Sequence, residues 1–209
     1  MLRNCPRHST RQAIVFARPL IFAALLIAVH VTTALAQPAP FACPKPGTVE
    51  ERGVSTLKYT GTSPNDPYVC ARLDPRAKPE LRLFNLYALS DSNNTPAANA
   101  AVRAGLLDLL SGRKTSVSFP YTAYNGYIQQ ENWTLLRKEP YSIDGKTVET
   151  LVFETETTGD SRGTSGFHGR YTRWLDPKSG VWLKTDLAII GGSGNFYPQA
   201  YRVRSVTTP

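Results

Sequence analysis

From Lys114 onward, apolar and polar residues alternate in short runs separated by turn residues: Thr115 to Phe119, Asn132 to Ile143, Lys146 to Thr157, Phe167 to Leu175, Val181 to Ile190 and Tyr197 to Val206. A period of two, carried by aromatic and β-branched side chains, marks strands that turn one face to a core. In the stretch Tyr171 to Thr185, two such runs flank Asp176-Pro177-Lys178-Ser179-Gly180. The proline presets φ and the glycine is free to take positive φ, so the chain reverses there as a β-hairpin. Asp144-Gly145 suits a type I′ turn, which needs positive φ at both central residues. With that pair as the turn, Ile143 faces Lys146, Tyr141 faces Val148, Arg137 faces Val152, and Leu136 falls opposite Phe153.

Upstream, Val49, Val54 and Leu57 to Thr60 give short strand-like pieces around Arg52-Gly53, and Tyr68 to Leu73 and Glu80 to Leu89 are two further strands. The period changes over Pro96 to Leu110, where Ala98, Val102, Leu106, Leu109 and Leu110 recur at helical spacing and form one stripe;. Asn94 or Thr95 caps this helix at its start, Pro96 sits where a missing N–H does no harm, and Gly112 follows its end;. The expected fold is mainly β (α+β): a curved antiparallel sheet or half-barrel of about eight strands with one helix packed on it. Pro120 to Gln130 reads as a loop rich in aromatic residues.

The N-terminus has a different character. Residues 1 to 18 carry Arg3, Arg7, Arg11 and Arg18 without an acid, Pro19 to Ala36 is almost wholly apolar, and Ala34-Leu35-Ala36 is an A-x-A cleavage pattern. We read residues 1–36 as a secretory signal peptide, with a transit peptide or an uncleaved anchor as the competing readings. Residues 37–46 hold four prolines and read as a linker, and 47–209 as a single β-rich domain;. Export also changes the charge: of 24 basic and 16 acidic residues, the signal removes four arginines, leaving 20 against 16, or +4. That excess is scattered, with no run of like charge, so nucleic-acid binding is not indicated.

Cys5 leaves with the signal, and Cys43 and Cys70 remain as an even pair in a chain bound for an oxidising compartment;. A Cys43–Cys70 disulfide is the first reading, a lipid-anchored Cys43 its competitor. The expected location is periplasmic or secreted, with no membrane span once the signal is gone. The mature chain keeps one histidine, His168, and no methionine, so no metal site or cofactor is expected. His168 with Ser161, Ser165 or Ser193 and Asp160, Asp176 or Asp186 would be a hydrolase triad, but no Gly-x-Ser-x-Gly elbow accompanies them;. No catalytic residue is assigned. Glu154 and Glu156 share a strand face within diagonal reach of Arg137, as a solvated ion-pairing surface would;. The aromatic residues are the candidates for binding: Tyr124, Tyr127, Trp133 and Trp182 either line a cavity for an apolar ligand or pack the core;.

The string Trp133 to Glu154 with its Ile143-Asp144-Gly145 corner, followed by Trp174-Leu175-Asp176-Pro177 to Gly180 and Lys184, resembles the strand-turn-strand pattern of exported bacterial envelope proteins. The pattern occurs in uncharacterised families and, more loosely, in the curved half-barrel periplasmic lipoprotein carriers. The resemblance implies a curved sheet around a helix in the periplasm and apolar ligand binding, and carries over no catalytic residue. The expected function is non-enzymatic: binding an apolar or amphiphilic envelope molecule, a lipid among them, or another envelope protein. A hydrolase acting on envelope material is the alternative. The exported chain is expected to start at Gln37 and to carry the Cys43–Cys70 bond. Intact mass before and after reduction checks both, and a retained Met1 or an acylated Cys43 contradicts them.

Overall fold

Eleven strands and one helix follow one another as β1 (Val49–Arg52), β2 (Ser55–Ser63), β3 (Asp66–Leu73), β4 (Pro79–Leu83), β5 (Tyr87–Ala88), α1 (Pro96–Leu110), β6 (Ser116–Thr122), β7 (Ile128–Ile143), β8 (Lys146–Gly159), β9 (His168–Asp176), β10 (Val181–Gly191) and β11 (Tyr201–Thr207). The computed structural model describes residues 41–89, 95–122, 128–159, 166, 168–192 and 200–209, with the backbone alone at 121, 122 and 128. All of these belong to one unit, Ala36–Pro209. The strands form one curved, open antiparallel sheet in the order β5-β4-β3-β2-β1-β11-β10-β9-β8-β7-β6. Two meanders are thus joined through their ends, because β1 pairs with β11, Val49 opposite Thr207 and Glu50 opposite Val206. The connection from β5 to β6 must then run from one edge of the sheet to the other, and α1 lies within it.

The helix has the bounds and the stripe read from its periodicity, with Ala98, Val102, Leu106, Leu109 and Leu110 buried. Thr95 is the N-cap, its hydroxyl accepting from the Ala98 N–H at 3.1 Å. Gly105 is required: a Cβ there would lie 2.6 Å from the Phe119 ring on β6. Arg103 ties the helix to the start of β3 through Asp66 at 2.8 Å. Val102, Leu106, Leu109 and Leu110 then share one core with Phe84 and Tyr87 from one side of the sheet and Phe119, Trp133, Phe153 and Trp182 from the other.

The hairpins sit where their turn residues place them. Asp144 and Gly145 both have positive φ, 48° and 70°, and Ile143, Tyr141 and Arg137 face Lys146, Val148 and Val152. Leu136 does not face Phe153. A β-bulge between Leu135 and Arg137 puts Leu135 there instead, and Leu136, 43% exposed, is the extra residue;. In the Asp176–Gly180 turn the Asp176 carboxylate accepts from the Lys178 N–H at 3.0 Å and the Ser179 hydroxyl at 2.6 Å.

The expected single strand Glu80 to Leu89 is broken into β4 and β5 by Phe84 and Asn85, both at positive φ, 50° and 55°. Tertiary bonds stabilise that uncommon pair: the Phe84 carbonyl accepts from Trp182 Nε1 at 2.9 Å, and the Asn85 amide donates to the Gly180 carbonyl at 3.0 Å;. Pro120 to Gln130 is not a loop throughout, since β6 runs to Thr122 and β7 starts at Ile128. The Cys43–Cys70 disulfide is formed. Within the Pro-rich stretch Phe41 is buried edge-on against Phe84, 5.3 Å between centroids. The Ala42 carbonyl lies so close to Gly180 that any Cβ there would overlap it at 1.8 Å.

Trp133 has no exposed surface and meets the rings of Phe153 and Trp182 at 5.8 and 5.9 Å. Trp133→Ala is expected to lower stability by about 3–5 kcal/mol. Urea unfolding should show this as a lower midpoint with an unchanged slope; a loss below about 1 kcal/mol would contradict this core assignment.

Candidate functional site

Alternation along β9 puts Arg173 in phase with Tyr171 and Leu175 on the inward face. The register extends that position into a row across the sheet: Leu135 on β7, Phe153 on β8, Arg173, Thr185 on β10 and Tyr201 on β11. Arg173 is only 2% exposed. Its guanidinium lies 4.5 Å from the Tyr171 ring centre and 5.1 Å from that of Trp133, a cation–π setting that orients it without neutralising it. Among the described residues no carboxylate comes within ion-pairing distance of it, and its Nε has no hydrogen-bond partner.

The other half of the sheet brings a second polar row against the first. Tyr59 on β2, Arg72 on β3 and Glu80 on β4 are direct ladder partners, and Arg82 follows on the same face as Glu80. Glu80 bridges the two arginines, 2.8 Å to Arg72 Nε and 2.6 Å to Arg82 Nη2. Fully buried Glu50 on β1 pairs with Arg52 and accepts from the Tyr59 hydroxyl at 2.5 Å. Burial and then the Glu50 carboxylate push the Tyr59 phenol well above its usual range, so it remains a donor;. The Arg52 guanidinium stacks over Tyr201 at 4.0 Å, where the two rows meet.

Between the rows lies a cavity of about 190 Å³, partly open to solvent, lined by Arg52, Arg72, Arg82, Arg173, Asn85 and Glu131. The rings of Tyr87 and Tyr201 and the aliphatic Leu86 and Ala88 complete its wall. Asn85 holds the floor, accepting from Arg72 at 3.4 Å and donating to the Tyr59 hydroxyl at 2.8 Å. Glu131 on β7 is buried, and its Oε2 accepts from the Tyr87 hydroxyl and, at 2.8 Å, from Trp133 Nε1. Four guanidinium groups thus meet three carboxylates, Glu131 in the wall and Glu50 and Glu80 behind the arginines, leaving one positive charge in excess. The buried hydroxyls of Thr155 and Thr185, on the face that carries Arg173, are also unpartnered. Buried polar groups are almost always satisfied, and two of the lining guanidiniums, those of Arg82 and Arg173, each have a buried Nε without a partner.

Of the residues singled out from sequence, Tyr124 and Tyr127 lie outside the described residues. Trp133 and Trp182, 0% and 2% exposed, are core side chains, and Trp133 shapes the site from behind Arg173. His168 is bonded to Glu156 at 2.5 Å and Arg170 approaches Glu154 at 3.8 Å. The Glu154–Glu156 face is therefore engaged by side chains of β9, Glu156 hydrogen-bonded to His168 and Glu154 near Arg170, while Arg137 pairs with Glu139 at 2.6 Å on its own strand. The serines and Asp160 considered beside His168 lie outside the described residues. Among the described residues no helix is long and apolar enough to cross a membrane.

No known protein family matches the chain, and no curated protein does. Among solved structures that resemble it is the hypothetical lipoprotein YmcC from Escherichia coli (K12), 14% identical over 80% of this chain and 89% of that one, with a TM-score of 0.45. A likeness that distant assigns no activity.

Burial alone would raise the Glu80 carboxyl, but Arg82 and Arg72 outweigh it and hold the group down to about 2. Its folded value is below its unfolded one, so its contribution is complete above about pH 4.5 and is lost as pH falls toward about 2. That contribution is on the order of 3 kcal/mol. Glu80→Gln is expected to flatten the acid limb of urea-unfolding stability against pH, and an unchanged limb would rule out the bridge as its source.

Proposed function

We propose that this protein is an exported, non-catalytic binding protein whose arginine-lined cavity holds an anionic group, either a small soluble anion or the head of an amphiphile. The observation that carries the reading is Arg173: a buried guanidinium with no carboxylate partner among the described residues, facing a cavity that three more arginines line. A guanidinium withdrawn from water costs several kcal/mol unless a counter-charge meets it. Of the nearby carboxylates, Glu50 is committed to Arg52 and Tyr59 and Glu80 to Arg72 and Arg82, while Glu131 shares the cavity wall with Arg173 but is bonded to Tyr87 and Trp133 and not at ion-pairing distance from it. An arriving anion completes the set and gains charge-assisted hydrogen bonds in a site of low dielectric. Size supports a headgroup rather than a whole chain: about 190 Å³ is close to the ~150 Å³ cavity that takes benzene. The cysteine pair joined in a disulfide supports the exported location;.

The test is thermal unfolding against acetate, sulfate, phosphate and an anionic lysolipid. At least one is expected to raise the wild-type Tm by about 3 °C or more at saturation, with a Arg173→Leu variant showing no rise. If none of the four moves the wild-type Tm, the reading is wrong.

A further inference from the structure

We infer that the cavity selects a monoanionic oxyanion that still carries a proton, dihydrogen phosphate or a singly protonated phosphate monoester, with Glu131 as the residue that detects the proton. This rests on the anion-binding reading above and names the ligand class for the same site.

The arginines alone would take any oxyanion of fitting size. Glu131 changes that, because a buried carboxylate in the wall of a cationic cavity is unfavourable for a fully ionised ligand and favourable for one with an O–H to donate. Its Oε2 is already engaged by Tyr87 and Trp133. Those two bonds fix the carboxylate in place through Oε2, and the residue lines the cavity, so Oε1 is the oxygen assigned to the ligand O–H. An O–H···O⁻ bond to a carboxylate is short and strong, whereas a bare anionic oxygen in the same position meets like charge at low dielectric. Sulfate has no proton to offer at neutral pH, while inorganic phosphate keeps an O–H throughout the neutral range. The charge count agrees: the one positive charge in excess is cancelled by a monoanion and overrun by sulfate. A site built to hydrogen-bond a ligand O–H rejects the analogue that lacks it far more strongly than a shape-matched apolar pocket does.

Isothermal titration of the full mature chain at pH 7 with phosphate and with sulfate reads this directly. Phosphate is expected to bind at least about 10-fold more tightly. In Glu131→Gln the amide oxygen still accepts from Tyr87 and Trp133 while the NH₂ faces the ligand, so the preference should collapse or invert in favour of sulfate. Equal affinities in the wild type, or a preference for sulfate or acetate, overturn the inference and leave the anion-binding reading standing; no anion binding at all removes both. The wild-type ratio decides the matter even if the variant fails to fold. Two sources of the same chemistry separate in a pelleting assay with phosphatidate vesicles at pH 5.5, below the second ionisation of a phosphomonoester at about 6. Pelleting that free phosphate competes away assigns a lipid head, and phosphate binding without pelleting assigns a soluble phosphate. Pelleting that persists unchanged under saturating phosphate overturns the assignment to this cavity.

Discussion

One face of the curved sheet turns away from bulk water, and whatever is polar on that face has to be satisfied there. Most of the arrangement follows from this constraint. Apolar positions meet it through the core that Trp133, Phe153 and Trp182 form with α1. Polar positions meet it by cross-strand pairing: Tyr59, Arg72 and Glu80 stand side by side in the ladder, and Asn85 reaches from a strained turn to bond both Arg72 and Tyr59. At Arg173, with no carboxylate at ion-pairing distance among the described residues, the chain uses the faces of Tyr171 and Trp133 instead. Aromatic faces tolerate a cation without cancelling its charge, so the described residues leave the cavity with one positive charge in excess.

The outer face has its own, more ordinary solution. Trp174 is of opposite phase to Trp182: it donates to Glu139, and Lys184 lies over its ring at 4.1 Å. Ile143, Val181, Leu183 and Val203 form a second small apolar cluster. Two tryptophans flanking one hairpin therefore have unlike duties. Trp182 anchors the β4–β5 turn through the Phe84 carbonyl, while Trp174 covers the exterior with polar partners at its rim.

Elements whose conformation is decided within a few residues were legible in the sequence. The α1 stripe, its Thr95 cap and the Asp144-Gly145 and Asp176–Gly180 reversals depend on side chains adjacent in the chain;. What depends on distant partners was not. The break at Phe84-Asn85 is held by bonds to Trp182 and Gly180, and the bulge at Leu136 interrupts a strand pattern that reads as continuous. The cavity is partly legible in the sequence. Arg173 stands in phase with Tyr171 and Leu175, and Glu80-Leu81-Arg82 reverses the usual alternation, its leucine 44% exposed and its charges turned inward. Charged residues at the apolar phase of a strand are the pattern that pointed to the site. Bringing them together required knowing that β1 joins β11, which nothing in either strand announces.

That same pairing has a kinetic side. Until Tyr201–Thr207 is in place, no strand ladder joins the two meanders, and Arg52 has not yet met Tyr201. The contacts that complete the sheet are among the most distant in sequence, and such contacts bear the loop-closure entropy of everything between them, which slows folding. Completion of the sheet therefore waits on the pairing of β1 with β11, and the unsatisfied edges of the two half-sheets stay exposed until it forms;.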